Sequence, residues 1–450
     1  MGGMDKTSTR SLLDRMLGVF ADVHAGEGGT AVLLALNVFL ILMAYYVLKT
    51  VREALVLGEG SPELKSYLSA AQVAVLAVAV PLYGRLVARF QRMRLINVVT
   101  LFFAACPVLF YVLATLHVRL GIIFFIWIGI FNLMIVAQFW SFANDIYTKD
   151  QGERLFAIVG FGASLGAVAG SRVANQLIAI GVYQMMLVGA AILVAQLIIT
   201  NFVNRRVGGK AKSSASPVAS GLPKTSGTNA FSLVLQTRYL LLMGLMLMLL
   251  NWVNTTGEYI LGSIVKDTVT QTIASGKAAG LSEEQLIGDF YSTYFTYVNA
   301  LGLLLQLFVV SRVVKYLGVS KAVLILPVIS LVAYNILVFY PMLRAVMAAK
   351  VAENSTDYSV NNTVRNMLFL PCTYEEKFSA KQAIDSFFVR MGDVLSAVLV
   401  FVGTAVLTLS PRQFALVNAI IVVGWLMIAW QVGRQYGVRS EAARRPAPAA

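Results

Sequence analysis

The chain is poor in charge. Of its 450 residues only 13% are Asp, Glu, Lys or Arg, against 58% hydrophobic. A soluble domain carries about 25% charged residues, so this composition excludes an ordinary globular protein in water. Cysteine is nearly absent: Cys106 and Cys372, far apart in sequence, suggest no disulfide framework. Histidine is as scarce. His24 and His117 both fall near expected membrane ends, which excludes a histidine-rich metal site. It also leaves no midplane histidine for acid–base or nucleophilic catalysis, so an enzyme is not expected, and no cofactor is implied. No Gly-rich phosphate loop of the Walker type occurs. The N-terminal stretch MGGMDKTSTRSLLDRMLGVF lacks the unbroken apolar core of a signal peptide, because Asp14 and Arg15 interrupt it. It reads as a short amphipathic helix on the membrane surface.

Long hydrophobic runs are what the chain has in abundance. Stretches of about 20 apolar residues, enough to cross a hydrocarbon core of about 30 Å, recur near 30–57, 65–90, 95–117, 119–147, 153–180 and 182–204. They recur again near 237–262, 288–313, 319–340, 342–370, 378–408 and 411–433. The fold class expected is an all-α polytopic membrane protein. Several spans are too long to sit upright and must tilt, kink or project. Between the two sets lies 205-RRVGGKAKSSASPVASGLPKTSGTNA-230, Gly/Ser/Pro-rich and basic, hence a flexible linker. The organisation expected is a cytoplasmic N-terminal segment 1–29, a first six-helix half 30–204, a cytoplasmic linker 205–236, a second half 237–434 and a cytoplasmic tail 435–450, disordered over 439–450.

The formal net charge of +14 has a topological explanation rather than a nucleic-acid partner. Arg85, Arg89, Arg92 and Arg94, then Lys149 and Arg154, the basic linker, and Arg312, Lys315 and Lys321 all fall on one side of the membrane. Basic loops mark the cytoplasmic face, so both termini are expected there. The halves also look alike. The loop 83-YGRLVARFQRMR-94 has a counterpart in 311-SRVVKYLGVSK-321, and 148-TKDQGERLFA-157 has one in 373-TYEEKFSAK-381. Two pseudo-symmetric six-helix halves, about 12 helices in all, resemble the major facilitator arrangement, in which substrate sits near the midplane. The first of these loops also resembles the facilitators' cytoplasmic motif after their second helix, with basic residues such as Arg85 pairing with helix ends; setting topology is the plainer role.

A charge inside a spanning helix is costly, about 2.5–3.5 kcal/mol by insertion scales, so each one asks for a partner or a cavity. Lys49, Arg52 and Glu53 lie one turn apart on a face that Tyr45 continues; a cavity role and outward snorkelling both fit them. In 250-LNWVNTTGEYILGSIV-265, Asn251, Asn254 and Glu258 share a face, for substrate or for a basic residue of another helix. Glu353, Asp357, Asn361 and Arg365 form a stripe that cannot face lipid. Lys377, Lys381 and Asp385 form another, with Arg390 placed to pair with Asp393. Counting Arg172 and Lys350 as well, the inner cations and anions nearly balance. Such a balance suits internal ion pairs, and equally an anionic substrate that reorganises them.

These residues resemble the ATP/ADP translocase family, nucleotide transporters distantly related to the major facilitator fold. The resemblance is carried by 45-YYVLKTVREALVL-57, 139-FWSFANDIYTKDQGERLFAIVGFGASLGAVAG-170, 238-RYLLLMGLMLMLLNWVNTTGEYI-260 and 358-YSVNNTVRNMLFLPCTYEEKFSAKQAID-385. It implies nucleotide exchange by alternating access in a bacterial plasma membrane. It places functional basic residues at Lys49, Arg52 and Lys381 and a functional carboxylate at Glu258, with Asp385 beside them. Glu53, Arg85, Asp357, Arg365, Arg390 and Asp393 are left as gating or structural ion pairs. The family also carries a glutamate in its fourth span, where 120-LGIIFFIWIGIFNLMIVAQFWSFAN-144 has no acidic residue; Asn132 and Gln138 are the polar residues nearby. The function expected is a secondary transporter for an anionic solute, a nucleotide first. The rivals are a carrier of another anion, coupled to protons, and a non-transporting membrane partner. The expected partners are that solute and the bilayer, and the oligomeric state is left open.

Overall fold

Inside a bilayer the backbone has no water to bond, so each spanning segment must satisfy its own N–H and C=O groups. The structure, a computed structural model, describes residues 12–18, 22–207, 230–373, 376 and 380–444. Every regular element among them is helical. Most of the expected linker, Lys377 and residues 445–450 lie outside the described residues. The last helix continues to Arg444, which corrects the disorder expected over 439–444.

A short helix α1 (Leu12–Leu17) precedes α2 (Gly28–Glu59), α3 (Pro62–Arg89), α4 (Arg92–Thr115), α5 (Gly121–Ile146), α6 (Lys149–Leu177) and α7 (Gln184–Val207). After the linker come α8 (Ala230–Gln236), α9 (Arg238–Ala274), α10 (Glu283–Phe308), α11 (Val310–Ala322), α12 (Ile325–Phe339), α13 (Leu343–Thr356), α14 (Asn362–Met367), α15 (Lys381–Ala383), α16 (Val389–Phe401) and α17 (Pro411–Arg444). Nine described helices are long and apolar enough to cross a membrane, and the pair α10–α11, bent by 75°, makes a tenth. The shorter α12 and the α13–α14 run complete the expected set of about 12. The chain turns ahead of the ninth span at Gly318, whose φ of 67° is one that glycine adopts without strain.

The tenth and eleventh spans are not the continuous α-helices the apolar pattern suggests. π-turns occupy Asp357–Asn361, Ile384–Phe388 and Val402–Val406. Hydroxyls within each turn compete for the ladder: Ser359 donates to the Ser355 carbonyl at 2.6 Å, Ser386 to Gln382 at 2.6 Å and Thr404 to Val400 at 2.8 Å. Such back-bonding loosens a helix locally, and π-turns of this kind re-aim the side chains around them.

The chain forms two compact units. Unit 1 comprises Met1–Glu53, Val78–Gly221 and Tyr291–Thr296; unit 2 comprises Ala54–Ala77, Leu222–Phe290 and Tyr297–Ala450. The helices α2, α3 and α10 therefore each contribute to both. In unit 1, α6 lies against α2 through a stripe of small residues. A Cβ on Gly162, Gly166 or Gly170 would fall 2.5, 2.2 or 2.5 Å from the carbonyl oxygens of Ala35, Phe39 and Met43. Small residues at this spacing let two backbones touch, which is how helices gain packing where lipid offers no hydrophobic drive. The buried amides are paired as well: Asn37 Nδ2 donates to Thr200 Oγ1 at 2.7 Å, and Gln196 Nε2 to Asn37 Oδ1 at 2.9 Å.

Unit 2 is built around α9, which packs against both α16 and α17. At 37 residues it is about 56 Å long, well beyond the hydrocarbon thickness. Gly392 of α16 brings its backbone against Met248 and Trp252 of α9. The two segments matched in sequence share a reciprocal cap. Thr148 and Gln151 cap one another reciprocally at 3.1 and 3.4 Å, and Thr373 and Glu376 do so at 2.8 and 3.3 Å.

Candidate substrate site

In unit 2 the face of α9 that bears Asn254 and Glu258 meets two lysines. Lys65 Nζ of α3 lies 3.1 Å from Glu258 Oε2, and Lys350 Nζ of α13 lies 3.7 Å from Oε1. Asn354 Nδ2 donates to the same Oε1 at 3.2 Å. Lys350 is 1% exposed and held tightly, at 2.8 Å from Glu353 Oε2 and 3.0 Å from Asn254 Oδ1. Glu353 in turn accepts from Ser330 at 3.0 Å, and the Tyr334 hydroxyl stands 3.3 Å away. Gly257 makes room for this arrangement, since a Cβ there would lie 2.1 Å from the Tyr334 hydroxyl and 3.0 Å from Lys350 Nζ. Two carboxylates and two ammonium groups thus share one buried cluster. An ion pair in such surroundings holds only if its remaining lone pairs and protons are also bonded, and the amides and hydroxyls here do that. Glu258 differs from Glu353 in keeping its side chain 20% exposed.

The other predicted residues of unit 2 form separate pairs. Arg365 Nη2 meets Asp385 Oδ1 at 2.8 Å, both side chains about one third exposed. Lys381 donates to Asn366 at 2.9 Å and stands 5.3 Å above the Phe369 ring. Asp357 accepts from Asn361 at 2.7 Å. Asp393 is buried, with Thr255 at 2.8 Å and Arg390 at 3.3 Å. The stripe of four-residue spacing is therefore divided: Glu353 goes to the α9 cluster and Arg365 to Asp385.

In unit 1, Lys49 stands among aromatic rings, 4.2 Å from the Phe295 centroid, 5.2 Å from Tyr46 and 5.9 Å from Tyr45. Cation–π contact contributes to holding such an ammonium. Arg52 hydrogen-bonds its neighbour Glu53 through Nε at 3.0 Å and lies 4.8 Å above the Phe125 ring. Where the resemblance implies a carboxylate, α5 has an aromatic wall, with Trp127 stacked on Phe131 at 5.4 Å and in contact with Phe103, Phe110 and Phe124. Gln138 is buried and lines a small cavity with Asn37, Thr100, Gln196 and Thr200 on one part and isoleucine and phenylalanine side chains on the rest. Arg172, counted among the inner cations, is exposed and bonds Asn175 on its own helix at 3.4 Å. Arg85 is exposed on α3; in that loop it is Arg92 that pairs with a helix end, at 2.9 Å from Asp145. Trp140 packs edge-on against Phe156.

Just ahead of α2, Glu27 accepts from Arg154 at 3.0 and 3.1 Å, from Gln151 at 3.1 Å and from the His24 N–H at 3.0 Å. Burial works against its charge. The donors and the Arg154 charge prevail and bring its carboxyl down to about 2.

Sequence reasoning missed Lys65, Gly257, Ser330, Tyr334 and Asn354. Lys65 stands in 61-SPELKSY-67 at the start of a span, where a lysine ordinarily reaches the headgroups. Ser330 and Tyr334 are four residues apart on one face of α12, and that spacing was the available signal.

A bundle of spanning helices whose charges are gathered into buried, mutually compensated clusters is the construction of a membrane transporter. Residues 31–357 match the Major Facilitator Superfamily, and the chain belongs to it. It is similar to ADP,ATP carrier protein 1 of Chlamydia pneumoniae, 22% identical over 358 residues, or 69% of this chain and 66% of that one. It is also similar to ADP,ATP carrier protein 1 of Chlamydia muridarum, 23% identical over 69% of this chain and 64% of that one. The chain thus spans just under two thirds of the length of these relatives. Among solved structures it is similar to a bacterial homologue of the iron transporter ferroportin, with a TM-score of 0.64 and 14% identity over 90% of this chain and 98% of that one. The nucleoside transporter NupG matches with a TM-score of 0.59 and 12% identity over 92% and 98%. At such identities the structural likeness speaks for the fold.

Proposed function

We propose that this facilitator-type transporter carries an anionic solute, a nucleotide of the ATP/ADP kind, by alternating access and exchange. The observation that carries this reading is Glu258, a partly exposed carboxylate shared between Lys65 and Lys350. A phosphate leaving water needs charge-assisted hydrogen bonds to replace its hydration. Cations now held by carboxylates or rings can supply them once a stronger anion arrives. Lys49, Arg52 and Lys381 are the further donors in this reading, and Asp385, now paired with Arg365, is the further carboxylate of the substrate site. Glu53, Asp357, Arg390 and Asp393 act as structural partners, and Arg85 belongs to the cytoplasmic loop. The similarity to ADP,ATP carriers supports the nucleotide. The placement of Lys and Arg supports cytoplasmic termini in a bacterial inner membrane.

The test is uptake of labelled ATP by liposomes containing the purified protein, with and without ADP inside. Uptake that needs internal ADP and fails in Lys381→Ala supports exchange. Its absence from correctly inserted protein refutes the nucleotide reading. A second reading, a proton-coupled carrier of another anion, is favoured by the lack of any acidic residue in α5 before Asp145. Uptake driven by an imposed pH gradient, with no need for a preloaded solute, distinguishes it.

A further inference from the structure

We infer that Lys65 is an anion-binding residue of the transport site, handed from Glu258 to the substrate, and that this exchange unfastens the tip of the α2–α3 hairpin from α9. The inference rests on the anionic-substrate reading above and names a residue and a movement within it.

Three observations carry it. First, residues 54–77, the end of α2 and the first half of α3, belong to unit 2, whereas the rest of both helices belongs to unit 1. Within unit 2 this tip is fastened to α9 by polar contacts: Lys65 to Glu258 at 3.1 Å, Tyr259 to Glu63 at 3.4 Å, and Lys266 to the Leu57 carbonyl. Of these three, the Lys65 bond joins opposite charges, on two side chains that are 7% and 20% exposed.

Second, the two lysines around Glu258 are not equivalent. Lys350 is anchored by Glu353 and Asn254 and reaches Glu258 only at 3.7 Å. If Lys65 withdraws, Glu258 keeps Lys350 and the Asn354 amide, so its charge is not stranded. A buried pair is hard to part chiefly because the partner left behind is uncompensated. Here that partner keeps a cation and an amide donor in place, with Lys350 then shared between two carboxylates.

Third, the charge of Lys65 must be met wherever the side chain goes. Among the contacts described above, the titratable groups that face Glu258 include Lys65 of α3 and Lys350 and Glu353 of α13, with Tyr334 of α12 behind them; on α9 itself Tyr259 is engaged with Glu63. An ammonium that leaves a carboxylate in a poorly hydrated place is best stabilised by another anion. A phosphate provides one, and a compact ammonium with three donors binds it as a point charge.

Exchange kinetics in liposomes, paired with hydrogen–deuterium exchange of the tip, test this. Lys65→Gln is expected to raise the KM for ATP about tenfold or more, the weight of one charge-assisted hydrogen bond. Lys65→Arg should restore most of it. In the wild type, ADP should accelerate amide exchange across residues 58–77, and Glu258→Gln should show the faster exchange without ligand. If the wild type exchanges nucleotides and Lys65→Gln keeps its KM, the handover is refuted and the transport reading stands. If correctly inserted wild type exchanges no nucleotide, both fall. Should Lys65→Gln fail to fold, the wild-type measurement decides: protection of 58–77 that ADP leaves unchanged overturns the inference.

Discussion

Lys350 shows at the residue scale what a charge needs inside a membrane: a carboxylate three residues on, an amide across the helix interface and a glycine opposite that leaves it space. Lys350→Met removes one member of the cluster and leaves Glu353 facing two hydroxyls. The expected loss of stability is about 3–5 kcal/mol, read as a lowered midpoint of thermal unfolding in detergent. Lys350→Met combined with Glu353→Leu removes both charges and should recover most of it. Glu258 was legible as a buried charge because a carboxylate within an apolar run is too costly to be incidental. Glu353 was legible because it belongs to a polar stripe that cannot face lipid, and Asp393 through its spacing from Arg390. Lys65 was not, because a lysine at the end of a span is ordinarily harmless, and only the fold shows that this one is buried. Arg172, counted with the inner cations, is exposed and bonds Asn175 on its own helix.

At the scale of elements, apolar length and the twofold likeness marked out the helices well. The sequence does not show where the ladder changes character, because a π-turn keeps both the composition and the rough polar spacing of the helix it interrupts. The stripe through Glu353, Asp357, Asn361 and Arg365 looked continuous for that reason. The contact between α2 and α6 depends on backbone proximity. Gly166→Ala places a methyl 2.2 Å from the Phe39 carbonyl oxygen, and overpacking of this kind costs about 1–3 kcal/mol. Gly160 is the control, because a methyl added there would meet nothing within 4 Å, and Gly160→Ala should leave the unfolding midpoint unlowered. The fastening of α6 to the segment before α2 is set by pH. The Glu27 carboxyl sits below its ordinary 4.5, at about 2, so its stabilising effect is complete above pH 4.5 and fades as pH falls toward 2. Unfolding of the wild type and Glu27→Gln across that range should converge at the acid end.

For the whole molecule, the reciprocal caps at Thr148 and Thr373 give physical form to the internal repeat seen in sequence. The charges of the α9 cluster have a further consequence. Counted as ionised, Glu258 and Glu353 balance Lys65 and Lys350. The charge that Lys65 carries with one substrate is returned when the carrier comes back loaded, so over a full exchange the protein moves no net charge along the membrane normal. An electric field across the bilayer then acts on the cargo rather than on the carrier, with a weight of about 2.3 kcal/mol per elementary charge at 100 mV. Under the proposed exchange, ATP and ADP differ by about one charge. A potassium–valinomycin potential imposed on the liposomes should therefore bias ATP-for-ADP exchange in one direction and leave ATP-for-ATP exchange untouched. A bias on both would mean that the protein itself moves charge. Over a full exchange the transporter is thus an electrically silent frame, and the direction of traffic is decided by membrane voltage and the charge of what it carries.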